Sequence, residues 1–163
     1  MPVKKITFLG FALAVALVLS YIESLIPFFF GVPGMKLGLA NAMVCSLLYV
    51  VSWREAVAVN LLRILLSGLL FGNGFSIVYS IGGALVSLII MVLLKRIKGL
   101  SPILVSACGG MAHNIGQILV AIIVMKTIYL IYYLPFLLTS GVVTGVLIGI
   151  ISSEVNKRIH IDI

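Results

Sequence analysis

Lys36, Asn41, Arg63, His113, Asn114 and Gln117 are polar or ionisable side chains set within stretches otherwise apolar enough to cross a bilayer. Ionisable groups at such depth are expensive, so they pair with one another or line a cavity or permeation path. Arg63 keeps its charge at any accessible pH, and its planar fork suits a carboxylate or phosphate. His113 and Gln117 stand four residues apart, which puts them on one face of a helix, while Asn114 projects about 100° away. The chemistry on offer is charge neutralisation and hydrogen bonding to a small polar or anionic molecule held partway across a membrane. Glu23 is the acid at comparable depth. Either it neutralises Arg63 structurally, or Arg63 and Lys36 leave the site with surplus positive charge. Asn60 reads as a satisfied packing residue.

Groups for catalysis are scarce. Glu23, Glu55, Glu154 and Asp162 are the whole acid inventory, and no two stand at helical spacing. Metal-assisted chemistry on diphosphates would ordinarily require clustered carboxylates. Gly72-Asn-Gly-Phe-Ser76 lacks the lysine and the spacing of an ATP-binding loop. His113 and His160 are too far apart in sequence and depth for a zinc site. Cys45 and Cys108 each stand alone in apolar runs and read as packed, reduced thiols. The chain is therefore expected to be no enzyme, with no cofactor and no resident metal.

These residues need elements to position them, and composition says which. The chain is 63% hydrophobic and 9% charged, against about 45–50% and about 25% in soluble domains. Its solvent must be the lipid bilayer. The 163 residues supply six spans of about 20 residues each, in a single integral membrane domain over 1–163. Apolar runs place the spans near 6–27, 35–52, 54–72, 75–94, 101–125 and 129–152. Breaks fall at Pro27 to Gly34, Ser52 to Glu55, Gly72-Asn73-Gly74, Lys95 to Pro102 and Lys126-Thr127, all turn-forming or charged. An all-α fold follows, because unpaired backbone groups in lipid cost several kcal/mol and no run alternates with a strand period. A five-span protein, with the closely joined second and third runs merged, is the alternative count.

Charge orients the bundle. Six spans put both termini on one side, together with Lys4, Lys5, Arg54, Lys95, Arg96, Lys98, Lys157 and Arg158. The positive-inside rule makes that side cytoplasmic and the protein a multi-pass component of the cell membrane. The net charge of +7 is scattered over loops and chain ends, so nucleic acid is not an expected partner. The first run follows a basic start as a signal peptide does, but it continues to Pro27 without a small-x-small cleavage site, which predicts an uncleaved span. A rise of 1.5 Å per residue puts Asn41 roughly 9 Å below the outer surface, with Arg63 and His113 nearer the middle.

Three features admit two readings each. Phe28, Phe29 and Phe30, in the turn-rich Phe28 to Gly34 segment, either close as a lid over an outward-facing site or insert at the membrane surface. Tyr129, Tyr132 and Tyr133 form an interfacial belt or cover a ligand. Small residues at Ala12 and Ala16, and at Gly141, Gly145 and Gly149, let helices approach closely. They pack within the chain or dock another subunit.

Five segments then carry a likeness: Lys36-Leu-Gly-Leu-Ala-Asn41, Leu62-Arg-Ile-Leu-Leu-Ser-Gly-Leu-Leu-Phe-Gly72, Tyr79-Ser-Ile-Gly-Gly83, Ala112-His-Asn-Ile-Gly-Gln117 and Tyr132-Tyr-Leu-Pro135. In this order they resemble the Gx transporter family, also labelled heptaprenyl diphosphate synthase component I, which is similar to the substrate-binding S components of energy-coupling factor (ECF) transporters. The resemblance covers nearly the whole chain and implies a six-helix, S-component-like fold. It also implies that Ala12 and Ala16 match the small-residue pattern that contacts an ECF coupling subunit, with energy supplied by partner ATPases. Substrate would be held on the outer side by His113, Asn114 and Gln117 and by the Phe28 to Pro33 stretch. The leading expectation is thus a substrate-binding transporter subunit for a small anionic or amphipathic metabolite, of the vitamin or cofactor-precursor class. The alternative is a non-catalytic membrane component of heptaprenyl or polyprenyl diphosphate synthesis or quinone metabolism. A purely structural oligomer is a third.

Overall fold

The computed structural model describes residues 3–25 and 39–158. They form six α-helices: α1 (Val3–Leu25), α2 (Leu39–Val50), α3 (Trp53–Phe71), α4 (Gly74–Lys95), α5 (Pro102–Met125) and α6 (Leu134–Arg158). A 3-10 turn over Ile128–Tyr133 leads into α6. The breaks expected from sequence are where the helices are capped. The Ser52 hydroxyl accepts from the Arg54 N–H at the start of α3. Asn73 and Ser76 form a reciprocal capping box on α4. Ser101 caps α5, with Pro102 in its first turn, where a missing N–H costs nothing.

Four of these elements are long and apolar enough to cross a membrane: α1, α4, α5, and the 3-10 turn with α6. The chain is accordingly a multi-pass membrane protein. The expectation that all six helices span is only partly met. The described part of α2 has 12 residues, or about 18 Å at 1.5 Å per residue, short of a ~30 Å hydrocarbon layer. On α3, Arg54, Glu55 and Arg63 make the helix too charged to qualify on composition.

Helix pairing follows from where side chains meet. Lys5 on α1 forms a 2.5 Å ion pair with Glu55 on α3, and further along Tyr21 meets Phe71 edge to face at 5.6 Å. These two helices therefore run parallel, and the described part of α2 packs against both. The remaining neighbours complete a ring in the order α1, α3, α4, α5, α6, α2, and α5 packs most extensively, against α4 and α6. That packing is backbone on backbone. A Cβ on Gly145 would lie 2.6 Å from the Ser106 carbonyl oxygen, one on Gly149 2.6 Å from Ile103 Cα, and one on Gly116 2.5 Å from the Gly82 carbonyl oxygen. The glycines at 141, 145 and 149 are thus spent on contact within the chain.

Ala12 and Ala16 are both fully buried at 0% exposure, and Ala12 belongs to the core with Val44, Leu47, Leu48, Ala56, Val59, Leu88, Met91 and Val105. Their small side chains let α1 approach its own neighbours closely. Outside, large apolar side chains such as Phe11, Leu69, Leu70 and Ile123 are exposed around the bundle, as lipid contact requires and water would not favour.

Candidate functional site

The core just described fills the half of the bundle nearest Val3 and Arg158. The other half holds polar side chains around a cavity of about 90 Å³. All six helices contribute: Ser20, Glu23 and Ser24 from α1, Asn41 from α2, Arg63 and Ser67 from α3, Ser76 and Ser80 from α4, His113, Asn114 and Gln117 from α5, and Thr144 from α6. Ile64 and Ile148 supply apolar wall. The volume is several times the ~10–15 Å³ that a single water needs, and well below the ~300–1,000 Å³ of drug-sized sites.

Five of the six residues singled out from sequence border this cavity, namely Asn41, Arg63, His113, Asn114 and Gln117. Lys36 lies outside the described residues, as do Phe28, Phe29 and Phe30. The five come together because each sits on the half of its helix that points away from the termini. Asn41 opens α2, Arg63 is past the middle of α3, and the α5 residues are near its midpoint.

Arg63 is held by its neighbours. Its Nε and Nη2 donate to Asn60 Oδ1 at 3.1 and 2.7 Å. Nη1 donates to Ser20 Oγ at 3.4 Å, and Nη2 also reaches Asn41 Oδ1 at 3.5 Å. Three helices converge on one guanidinium. Glu23, 8% exposed, shares the cavity and interacts with Arg63 electrostatically. A buried charge is tolerable when opposite charge is near and its hydrogen-bonding capacity is used; Glu23 supplies the first to Arg63, and Asn60, Ser20 and Asn41 supply the second.

On α5, Gln117 is buried and lies beside His113 over Gly83. A Cβ at Gly83 would stand 2.7 Å from Gln117 Cγ and 2.9 Å from His113 Nδ1 and Cε1. The bare backbone of α4 is therefore the seat of both side chains. Asn114 turns toward α6, and its Nδ2 donates to the Leu137 carbonyl at 2.6 Å. Part of its capacity holds two helices together while its flank borders the cavity.

Asn60, read from sequence as a satisfied packing residue, is buried at 3% exposure and satisfied by Arg63, whose main anchor it is. Sequence reasoning overlooked the hydroxyls of Ser20, Ser24, Ser67, Ser76, Ser80 and Thr144. Their signal was present: Ser20 and Ser24, and Ser76 and Ser80, repeat at four residues and so share a helix face.

The arrangement can neutralise, orient and enclose a compact polar molecule. Among the described residues no three His, Cys, Asp or Glu side chains gather as metal ligands do. No curated protein and no solved structure matches the chain. The family model described as heptaprenyl diphosphate synthase component I matches residues 12–155, a stretch that includes every described residue of the cavity, and the chain belongs to that family.

Proposed function

We propose that this protein is a solute-binding subunit of the membrane, which captures a small polar metabolite in the cavity between its six helices. One observation carries the reading: polar side chains from every helix converge on one cavity in a chain whose exterior is apolar. Packing alone would not call for such convergence, because each buried polar group must be matched at a cost. The positive-inside rule, applied to the basic residues near the termini, turns the cavity outward across the cell membrane. Arg63 and His113 supply polarity to the solute, and Asn41, Asn114 and Gln117 orient it. Lys36 and Phe28 to Phe30 belong to the stretch between α1 and α2 that lies outside the described residues.

Native mass spectrometry of the purified protein tests this directly. A small molecule should co-purify with the wild type and be depleted at least about tenfold from Gly83→Val, in which His113 and Gln117 are displaced. A wild type that carries nothing saturable, or a variant that retains the same molecule undiminished, sinks the reading.

The family description supports a second reading, a non-catalytic membrane component that works with a heptaprenyl diphosphate synthase. Affinity purification separates the two. Recovery of a soluble prenyl synthase favours the second, and recovery of ATPase and coupling subunits favours a transporter.

A further inference from the structure

Basic residues crowd the end of the bundle opposite the cavity, and the described acids there are taken. Lys5 pairs with Glu55, and Lys157 with Glu154 at 2.7 Å. Lys95 turns inward, donating to the Leu48 carbonyl, with its Nζ 5.0 Å from the centre of the Tyr49 ring. Arg54, Arg96 and Lys98 are exposed, and among the described residues no ion pair holds them. Asp162 lies outside the described residues and can offset one cation at most. The three side chains share one stretch of the rim. Arg54 opens α3, Arg96 and Lys98 follow α4 directly, and α3 packs against α4. The Lys95 contact also ties the end of α4 to the last turn of α2, just before α3 begins.

Val3, Trp53, Leu93 and Ile97 border this rim and are all exposed, so it lies where apolar helix surface gives way to charge, the depth of lipid headgroups. Arg54 stands over the Trp53 ring, 5.5 Å from its centre, within cation–π range. Among the described residues Arg54 hydrogen-bonds through its backbone N–H, to Ser52 Oγ, which leaves the five guanidinium N–H donors unspent. We propose that this rim binds the phosphate of an anionic phospholipid, with Arg54 as the forked contact and Arg96 and Lys98 as flanking charges. A planar fork positioned by an aromatic ring suits a phosphate. The occupant is a lipid rather than a soluble anion because the bordering side chains offer apolar surface to its acyl chains, and basic residues beside a membrane attract anionic headgroups. The site is independent of what the cavity holds.

Thermal unfolding of the full chain in detergent tests this, with phosphatidylglycerol titrated in mixed micelles against phosphatidylcholine. Phosphatidylglycerol should stabilise saturably, with an apparent affinity at least about tenfold above that of phosphatidylcholine, since each basic residue near a headgroup contributes about fivefold. Arg54→Gln should lose roughly that fivefold. Arg158→Gln removes the same charge from the same end but from α6, which is adjacent to neither α3 nor α4 in the ring, and should lose less than about twofold. Equal stabilisation by the two lipids overturns the proposal. So does equal loss from the two variants, the mark of diffuse attraction without a site. Inorganic phosphate at matched ionic strength should not stabilise saturably, and a response equal to that of phosphatidylglycerol overturns the lipid as occupant. Should Arg54→Gln fail to fold, the lipids that wild type retains through purification decide by mass spectrometry. Enrichment of anionic over neutral lipid relative to the source membrane supports the proposal, and its absence refutes it.

Discussion

Asn60 and Arg63 stand three residues apart on α3, and a single Asn60 oxygen accepts from both Nε and Nη2 of the arginine. The pair fixes the guanidinium against its own helix, so its position at the cavity is set before any ligand arrives. Such preorganisation is what keeps a polar site effective, because the ordering cost falls on folding rather than on binding.

Asn60→Leu should therefore cost about 1.5–3 kcal/mol, the range for a hydrogen bond to a charged group. Thermal unfolding in detergent measures it. Asn60→Asp keeps an acceptor at the same place and should recover most of the loss. Equal damage from both variants would mean that the acceptor oxygen is not what Asn60 contributes.

Gly83→Ala puts a methyl group against Gln117 Cγ and His113 Nδ1. Both neighbours are side chains that can swing away, so the fold should persist with a loss of about 1–3 kcal/mol. Occupancy of the cavity should suffer more than stability does. Native mass spectrometry beside circular dichroism reads the two effects separately.

Gly145→Ala presents a harder obstacle, because the new Cβ would meet the Ser106 carbonyl oxygen at 2.6 Å and Ala107 Cα at 2.7 Å, both backbone. Helices α5 and α6 must part, and the yield of monodisperse protein should collapse. Gly10 on α1 is the control, with nothing within 4 Å of its added Cβ. Gly10→Ala should be neutral or stabilise by about 0.5–1 kcal/mol through helix propensity.

Orientation can be read with single cysteines in a Cys45→Ala, Cys108→Ala background. Tyr132 in the 3-10 turn is 79% exposed and lies at the cavity end. Lys98, in the connection between α4 and α5, lies at the other. An impermeant thiol reagent applied to intact cells should label Tyr132→Cys and spare Lys98→Cys. The reverse pattern would turn the cavity toward the cytoplasm.

The helices were legible because lipid leaves the backbone few choices and the turn residues are conspicuous in so apolar a chain. The cluster was legible for a related reason. Asn41, Arg63, His113, Asn114 and Gln117 stand out in their runs, and the helical rise alone brings them to similar depths. What sequence leaves open is direction around each helix. Ala12 and Ala16 suit close packing against any neighbour, and their spacing does not say which. The serines escaped because a hydroxyl can satisfy itself on its own helix. Ser67 donates to the Ile64 carbonyl at 3.2 Å, and such residues carry no sign of depth.

Below the polar half, Val44, Leu47, Leu48 and Val105 are nearly inaccessible, at 2% exposure or less. They make a closed floor beneath the cavity. On the solute-binding reading, nothing drains through the base of the ring while these side chains interlock. Delivery to the far side would then require the floor to split, and interlocked side chains give way by discrete rearrangement more readily than by gradual stretching.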